Sequence, residues 1–239
     1  MLAVQTDIYS AFAHYLAKTL VAAYDNKKAT NPALTSAIAL LRSWNGQMNQ
    51  DQAGPLIVTL AFQHVRRAMA ESASKAPSTY DIQMAPAVME KLLRTRPGGW
   101  FADYDETLLK GLAGAVEEGQ RMQGPKLDQW KYGTYTEITI NNPVLHNVPL
   151  VGKYFDIGPA PMSGSSTTVK QLNRRLGPSM RMSVDFSDLD HSLLNVPIGQ
   201  SGQILSSHYR DEWEHYYFGQ SYPMQFRNVG AKSTLRLTP

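Results

Sequence analysis

The stretch that decides the fold class is Gly177-Pro-Ser-Met-Arg-Met-Ser-Val-Asp185, followed by Gly199-Gln-Ser-Gly202 and Ser207-His-Tyr-Arg-Asp211. Residues 180–186 and 192–196 have the short apolar pattern of strands, and the aspartates of residues 188–190 between them favour a turn. The glycines of residues 199–202 predict a tight turn, because glycine tolerates a positive φ. This part of the chain therefore predicts antiparallel strands joined by long loops of defined conformation.

The first half of the chain has a helical pattern instead. Asn31-Pro32 is a favoured helix start, and Leu34, Ile38 and Leu41 follow it at helical spacing. The predicted helices are a first one capped by Thr6 or Asp7, the one after Asn31, one starting at Asp51, and two more over residues 86–94 and 104–122, with a loop over residues 72–80. The fold class predicted is α+β, with a mainly helical segment over residues 1–123. A strand-and-loop segment with a terminal helix follows over residues 124–239. Its few short strands need either the helical half or strands of another polypeptide to satisfy their backbone groups, as in an incomplete domain of a larger protein.

Composition limits the possible partners. The chain has 239 residues, 43% of them hydrophobic, and a net charge of +3, so it can bury a core and has no basic excess of the kind that binds nucleic acid. It has no cysteine, which excludes disulfides and thiolate metal sites. No segment has the roughly 20 apolar residues of a membrane span. Residues 1–24 read as an amphipathic helix rather than as a signal peptide.

Gly199-Gln-Ser-Gly202 and the histidines that follow it are the first candidates for chemistry. Ser201 is not in a nucleophile elbow, because the pattern Gly-x-Ser-x-Gly is absent. His208 and Asp211, and Asp211 and His215, have spacings that place side chains together on a helix. Such spacing can hold a metal, but a terminal helix capped by Ser206 or Ser207 and docked by its aromatic residues explains it equally well.

Two further pairs are candidate site residues. Arg181 and Asp185 lie an even number of residues apart on the predicted strand, so we expect both to face one side, as a structural ion pair or a dyad facing a pocket. Asn142 and His146 lie in the loop after the strand predicted over residues 135–140, where they could contact a substrate. The adjacent Glu117-Glu118 is interpreted as solvated helix surface.

The motifs occur in an order that resembles the penicillin acylase family. The matching segments are residues 7–10, 40–46, 130–133 (Trp-Lys-Tyr-Gly), 142–143, 155–161 (Phe-Asp-Ile-Gly-Pro-Ala-Pro), 164–169 and the motifs that begin at Gly177 and Gly199. The chain departs from relatives that carry histidine where Thr136 and Asn142 stand. The resemblance covers nearly the whole chain and implies the C-terminal part of the family's large subunit.

The resemblance also implies a fold and a chemistry. The complete enzyme is expected to be an αββα sandwich of the N-terminal-nucleophile class, in which an N-terminal serine attacks the amide and its own α-amine acts as the base. Neither Met1 nor Leu2 can replace that serine, so no catalytic residue is assigned in this chain. Asp185 matches the place of an acid that orients a catalytic histidine in glutaryl-type relatives. The calcium site of the family is expected outside this chain, which is assigned no metal.

The sequence therefore predicts part of an amidohydrolase for acylated amines such as a β-lactam side chain or a related acyl amide. Its expected partners are the small subunit, the N-terminal part of the large subunit and the acyl amide substrate, with no nucleic acid or membrane partner. The resemblance implies a periplasmic or secreted protein, and the chain alone is expected to be inactive. The alternatives are an inactive binding or scaffolding module, or a subunit that completes a site on another chain.

Overall fold

The structure is a computed structural model that describes residues 2–74, 84–174, 176–231 and 234–237. It separates into two compact units. The helical unit comprises Ile8–Ile138 and Gly158–Leu176, and the strand unit comprises Met1–Asp7, Thr139–Ile157 and Gly177–Pro239. Residues 124–138 and 158–176 of the predicted strand-and-loop segment belong to the helical unit.

Most of the described secondary structure is helical. The helices are α1 (Leu2–Gln5), α2 (Ala11–Lys27), α3 (Pro32–Ser43), α4 (Ala53–Ala73), α5 (Pro86–Thr95), α6 (Tyr104–Gln123), α7 (Tyr132–Tyr135) and α8 (Trp213–Phe218), with single 3₁₀ turns at Leu127–Gln129, Gly152–Phe155 and Leu189–His191. None of these helices has both the length and the apolar character to cross a bilayer. Most of the loop predicted over residues 72–80 lies outside the described residues.

Side-chain hydrogen bonds cap the starts of α2 and α3. The Asn31 side chain accepts a hydrogen bond from the Ala33 N–H (2.9 Å), and Pro32 is the first residue of α3, as predicted. The prediction that Thr6 or Asp7 caps the first long helix is wrong, because the Ser10 hydroxyl caps α2 through the Ala13 N–H (3.1 Å). Likewise α4 starts at Ala53, two residues after the predicted Asp51, and has no side-chain cap.

The core of the helical unit lies where α4 and α6 pack together, with α2 and α3 beside them. Two glycines of α6 leave room for neighbouring side chains. A Cβ at Gly111 would lie 2.4 Å from Cγ2 of Val65 on α4, and one at Gly119 would lie 2.3 Å from the buried ring of Trp130. Gly111 therefore lets α4 pack closely against α6, and Gly119 lets the Trp130 ring pack on α6, at positions where no side chain fits without movement.

The described strands form two small sheets. β1 (Ile138–Ile140) joins β2 (Ile157–Ala160), and β3 (Arg181–Ser183), β4 (Leu193–Asn195) and β5 (Tyr222–Pro223) form a sheet in that order. β3 and β4 are antiparallel, with Arg181 opposite Asn195, and β4 and β5 are antiparallel too. The mixed α+β class is confirmed. The predicted strands are shorter than expected, and the terminal helix begins at Trp213 rather than at Ser206 or Ser207.

Candidate functional site

The loop after β1 is built around the buried side chain of Asn142. Its Oδ1 accepts hydrogen bonds from the backbone N–H groups of Val144 (3.0 Å) and Leu145 (2.8 Å). Its Nδ2 donates to the Tyr209 hydroxyl at 2.9 Å. All of these bonds are made within the protein, so Asn142 shapes the loop and its amide has little capacity left for a ligand.

A carboxylate holds the imidazole of His146 at the surface of this loop. His146 Nδ1 lies 2.7 Å from Oδ2 of Asp156, whose side chain is 6% exposed while that of His146 is 40% exposed. The other carboxylate oxygen accepts from the Asn142 N–H at 2.9 Å. Burial opposes ionisation of Asp156, yet these hydrogen bonds and the charge of Arg210 bring the pKa of its carboxyl below the ordinary value.

This pairing fixes what the imidazole can do. A carboxylate at Nδ1 favours the tautomer with the proton on that nitrogen, so Nε2 is the hydrogen-bond acceptor. Nε2 lies 3.5 Å from Asn141 Nδ2, at the long limit of a hydrogen bond. His146 can therefore accept a proton or a hydrogen bond from a group that approaches this loop.

The segment Ser207-His-Tyr-Arg-Asp211 holds the loop in place. The Tyr209 hydroxyl donates to the Phe155 carbonyl, and the guanidinium of Arg210 donates to the carbonyls of Tyr154 and Asp156, each at 2.8 Å. Sequence reasoning assigned no role to Asp156, Tyr209 or Arg210. Tyr209 and its partner Asn142 are 67 residues apart, so no local pattern predicts their contact. The order of the motifs along the chain is the one sequence feature that links these segments.

Gly199 packs directly against this segment. A Cβ there would lie 2.0 Å from the His208 carbonyl oxygen and 2.3 Å from Asp211 Oδ1. The Gly199 N–H donates to the Tyr209 carbonyl (3.2 Å) and the Ser201 N–H to that of His208 (3.0 Å). The Gly199 motif is therefore structural, but the predicted reason is wrong: neither Gly199 nor Gly202 has a positive φ, and Gly199 is needed because the His208 carbonyl approaches it so closely.

The remaining motif residues do not form a metal site. His208 Nδ1 contacts Asp211 Oδ2 at 2.7 Å, at the predicted spacing. His215, on α8, has the Tyr222 hydroxyl rather than a carboxylate at its Nδ1 (3.1 Å), and its ring lies 4.3 Å from the ring of Tyr222. No group of three or more acidic or histidine side chains in the described ranges is arranged to hold a metal ion.

The expected pairing of Arg181 with Asp185 is wrong. β3 ends at Ser183, so Asp185 lies beyond the strand and accepts from the N–H (2.9 Å) and hydroxyl (2.6 Å) of Ser187, which lower the pKa of its carboxyl. Arg181 is buried, donates from Nη1 to the Tyr216 carbonyl at 2.7 Å and lies over the Tyr216 ring. Its Nε and Nη2 have no hydrogen-bond partner among the residues described, and burial lowers the pKa of the guanidinium.

The side chain of each of the six histidines contacts a carboxylate or a tyrosine hydroxyl. The pairs are His14 with Tyr9, His64 with Glu118, His146 with Asp156, His191 with Asp188, His208 with Asp211 and His215 with Tyr222. The Ser201 hydroxyl accepts from the Gln203 N–H instead, at 3.1 Å. Glu118, interpreted from the sequence as solvated surface, thus forms a contact with His64 at 3.0 Å.

Comparison with known proteins gives consistent results. A family profile described as penicillin amidase matches residues 1–232. An acyl-homoserine lactone acylase QuiP of Pseudomonas putida is 30% identical over 147 residues, which is 57% of this chain and 18% of that protein. The QuiP of Pseudomonas syringae pv. tomato is 31% identical over 152 residues, with the same two coverages. The chain thus spans less than a fifth of the length of these relatives.

A solved structure shares the fold. The thermostable penicillin G acylase from Alcaligenes faecalis aligns with a TM-score of 0.53 and 15% sequence identity. The alignment covers 98% of this chain and 48% of that one. At this identity the likeness bears on the fold alone, and it agrees with the mixed α+β class of this chain.

Proposed function

Because the chain belongs to the penicillin amidase family, we propose that it is the C-terminal part of an acylase that hydrolyses the amide bond of an acylated amine. The family match over residues 1–232 is the observation that carries this proposal. The substrate class is a β-lactam side-chain amide or a related acyl amide. The names of the curated relatives add acyl-homoserine lactones to that class.

In this proposal the nucleophile is an N-terminal serine outside the 239 residues. Its α-amine takes the hydroxyl proton while the serine oxygen attacks the amide carbonyl. The C–N bond then breaks, the leaving amine takes that proton, and water hydrolyses the resulting acyl-enzyme to release the acid. Preorganised donors stabilise the tetrahedral intermediate. The hydrogen bond that Ser201 accepts from the Gln203 N–H and the pairing of His208 with Asp211 support this view, because neither brings a serine hydroxyl to a histidine base.

The remaining acylase polypeptide, namely the small subunit and the N-terminal part of the large subunit, is the proposed partner. The coverage of 18% of curated relatives and 48% of the solved structure supports a larger enzyme. In this proposal the calcium site of the family belongs to that partner, and the complete protein is located in the periplasm or outside the cell. Within this chain His146 is the proposed substrate contact, because its imidazole is held by Asp156 and partly exposed, and Asn142 supports its loop.

The test is an activity assay of the chain alone and of the chain produced together with the upstream acylase portion that carries the N-terminal serine. A chromogenic phenylacetyl amide and an acyl-homoserine lactone serve as substrates. We expect no turnover by the chain alone and turnover by the combination, lost when the serine is changed to alanine. Turnover by these 239 residues alone would refute the proposal. An inactive combination that still forms a stable complex would favour the scaffolding module.

A further inference from the structure

A small cavity in the helical unit has no role in the proposed function. Its volume is about 230 Å³, and it lies between α2, α4, α7 and the loop after β2. Its floor consists of the buried side chains of Leu16, Met48 and Val58. Phe12 and Phe62 form part of its wall and meet edge to face, with centroids 5.2 Å apart. Such an apolar lining favours an apolar ligand group over water.

The polar groups of the wall are already satisfied by the protein. The Tyr132 hydroxyl donates to the Gly164 carbonyl at 3.0 Å, and Gln63 Nε2 donates to the Tyr135 hydroxyl at 2.7 Å. The Thr167 hydroxyl lies 2.6 Å from that of Ser10. These groups are therefore poor candidates for recognising a ligand, and recognition falls to charged side chains.

The charged side chains that line the cavity are cationic. The described lining contains Arg66 and Arg174 but no aspartate or glutamate. Arg174 is exposed, and its guanidinium lies 4.8 Å from the centre of the Tyr135 ring. It forms no ion pair with a carboxylate of the described residues, so its N–H groups remain available to an anion.

We propose that this cavity binds a small monocarboxylate with an aryl or alkyl tail. The tail occupies the apolar floor, and the carboxylate is paired by Arg174, whose planar guanidinium matches a carboxylate. The volume lies below the ~300–1,000 Å³ of pockets for drug-sized ligands, which selects a small acid. This binding site goes beyond the proposed function and does not rest on it.

The test is calorimetric titration of the 239-residue chain with linear alkanoates from butanoate to octanoate and with phenylacetate. Each added methylene should tighten binding by about fourfold until the tail fills the cavity. The neutral amide with the same tail should bind at least about fivefold more weakly than the acid. Absence of saturable binding by any of these acids would overturn the proposal, as would equal affinities of acid and amide.

Two variants connect the binding to the cavity. Arg174→Gln should weaken binding of the best acid by about two- to fivefold, whereas Arg121→Gln, which changes an exposed arginine outside the cavity lining, should leave it unchanged. Phe62→Ala removes part of the wall and so enlarges the cavity, which should shift the preferred alkanoate to a longer one. Equal effects of the two arginine variants would overturn the assigned contact. An unchanged length preference in a folded Phe62→Ala variant would overturn the assigned cavity.

Discussion

Replacing Gly111 with alanine tests the close packing of α4 against α6. The added Cβ would lie 2.4 Å from Val65 Cγ2, a distance that side chains do not tolerate. Val65 is fully buried and β-branched, so it has no second rotamer that removes the clash without moving its helix. Overpacking of this kind costs about 1–3 kcal/mol, and alanine recovers about 1 kcal/mol of helix propensity. We expect a net loss of up to about 2 kcal/mol in the free energy of unfolding.

The assay is urea unfolding followed by far-ultraviolet circular dichroism. Gly114→Ala is the matched control on the same helix, because its Cβ would meet Nδ1 of His64 at 2.7 Å, and His64 is partly exposed and can move aside. The control should lose at least about 1 kcal/mol less than Gly111→Ala. In the double variant with Val65→Ala, the new methyl fills part of the vacated space, so the losses should fall short of additivity by about 1 kcal/mol. A Gly111→Ala variant that is more stable than the parent chain, or as stable as the Gly114→Ala control, would refute the packing argument.

Three further predictions concern the strand unit. Asn142→Ala removes the acceptor of two partly buried backbone N–H groups and one of the two hydrogen bonds of the Tyr209 hydroxyl, and should lower the free energy of unfolding by about 1–3 kcal/mol in the same assay. Gly199→Ala should reduce the thermal unfolding midpoint because its Cβ would lie 2.0 Å from a carbonyl oxygen, whereas Gly202→Ala, with open space around it, should not; equal midpoints would contradict this. The pKa of Asp156 is lower in the folded than in the unfolded chain, so the stability that its ionised carboxylate contributes is present above the unfolded pKa and is lost as pH falls through the folded pKa. Asp156→Asn should therefore flatten the acid side of a plot of unfolding free energy against pH. An unaltered acid slope would contradict this assignment.

The helical unit could be predicted from the sequence because its signals are local. Asn31-Pro32 and the apolar residues after it specify α3 within one stretch, and the structure has the helix there. The cap of α2 was misassigned because Thr6, Asp7 and Ser10 are all acceptable capping residues. Which of the three caps the helix depends on where the preceding chain enters it, and the local sequence does not specify that point.

The strand unit and its site could be predicted only in part, because their contacts are distant in sequence. Asn142 and His146 were recognised as candidates, but Asp156 and Tyr209, which orient them, are separated from them by loops without a regular period. The Arg181–Asp185 prediction assumed a strand of at least five residues, whereas β3 has three. Both β2 and β5 contain a proline, which weakens a strand signal in sequence.

The hydrogen bond between Asn142 and Tyr209 has a consequence for folding. It closes a loop of 67 residues, part of which belongs to the helical unit. Closing such a loop costs conformational entropy before the new contacts can offset it, so contacts between residues this far apart in sequence form late in folding. We therefore expect His146 to gain its fixed orientation only after most of the chain has folded, and a single cut between residues 157 and 198 to release it while the helices persist.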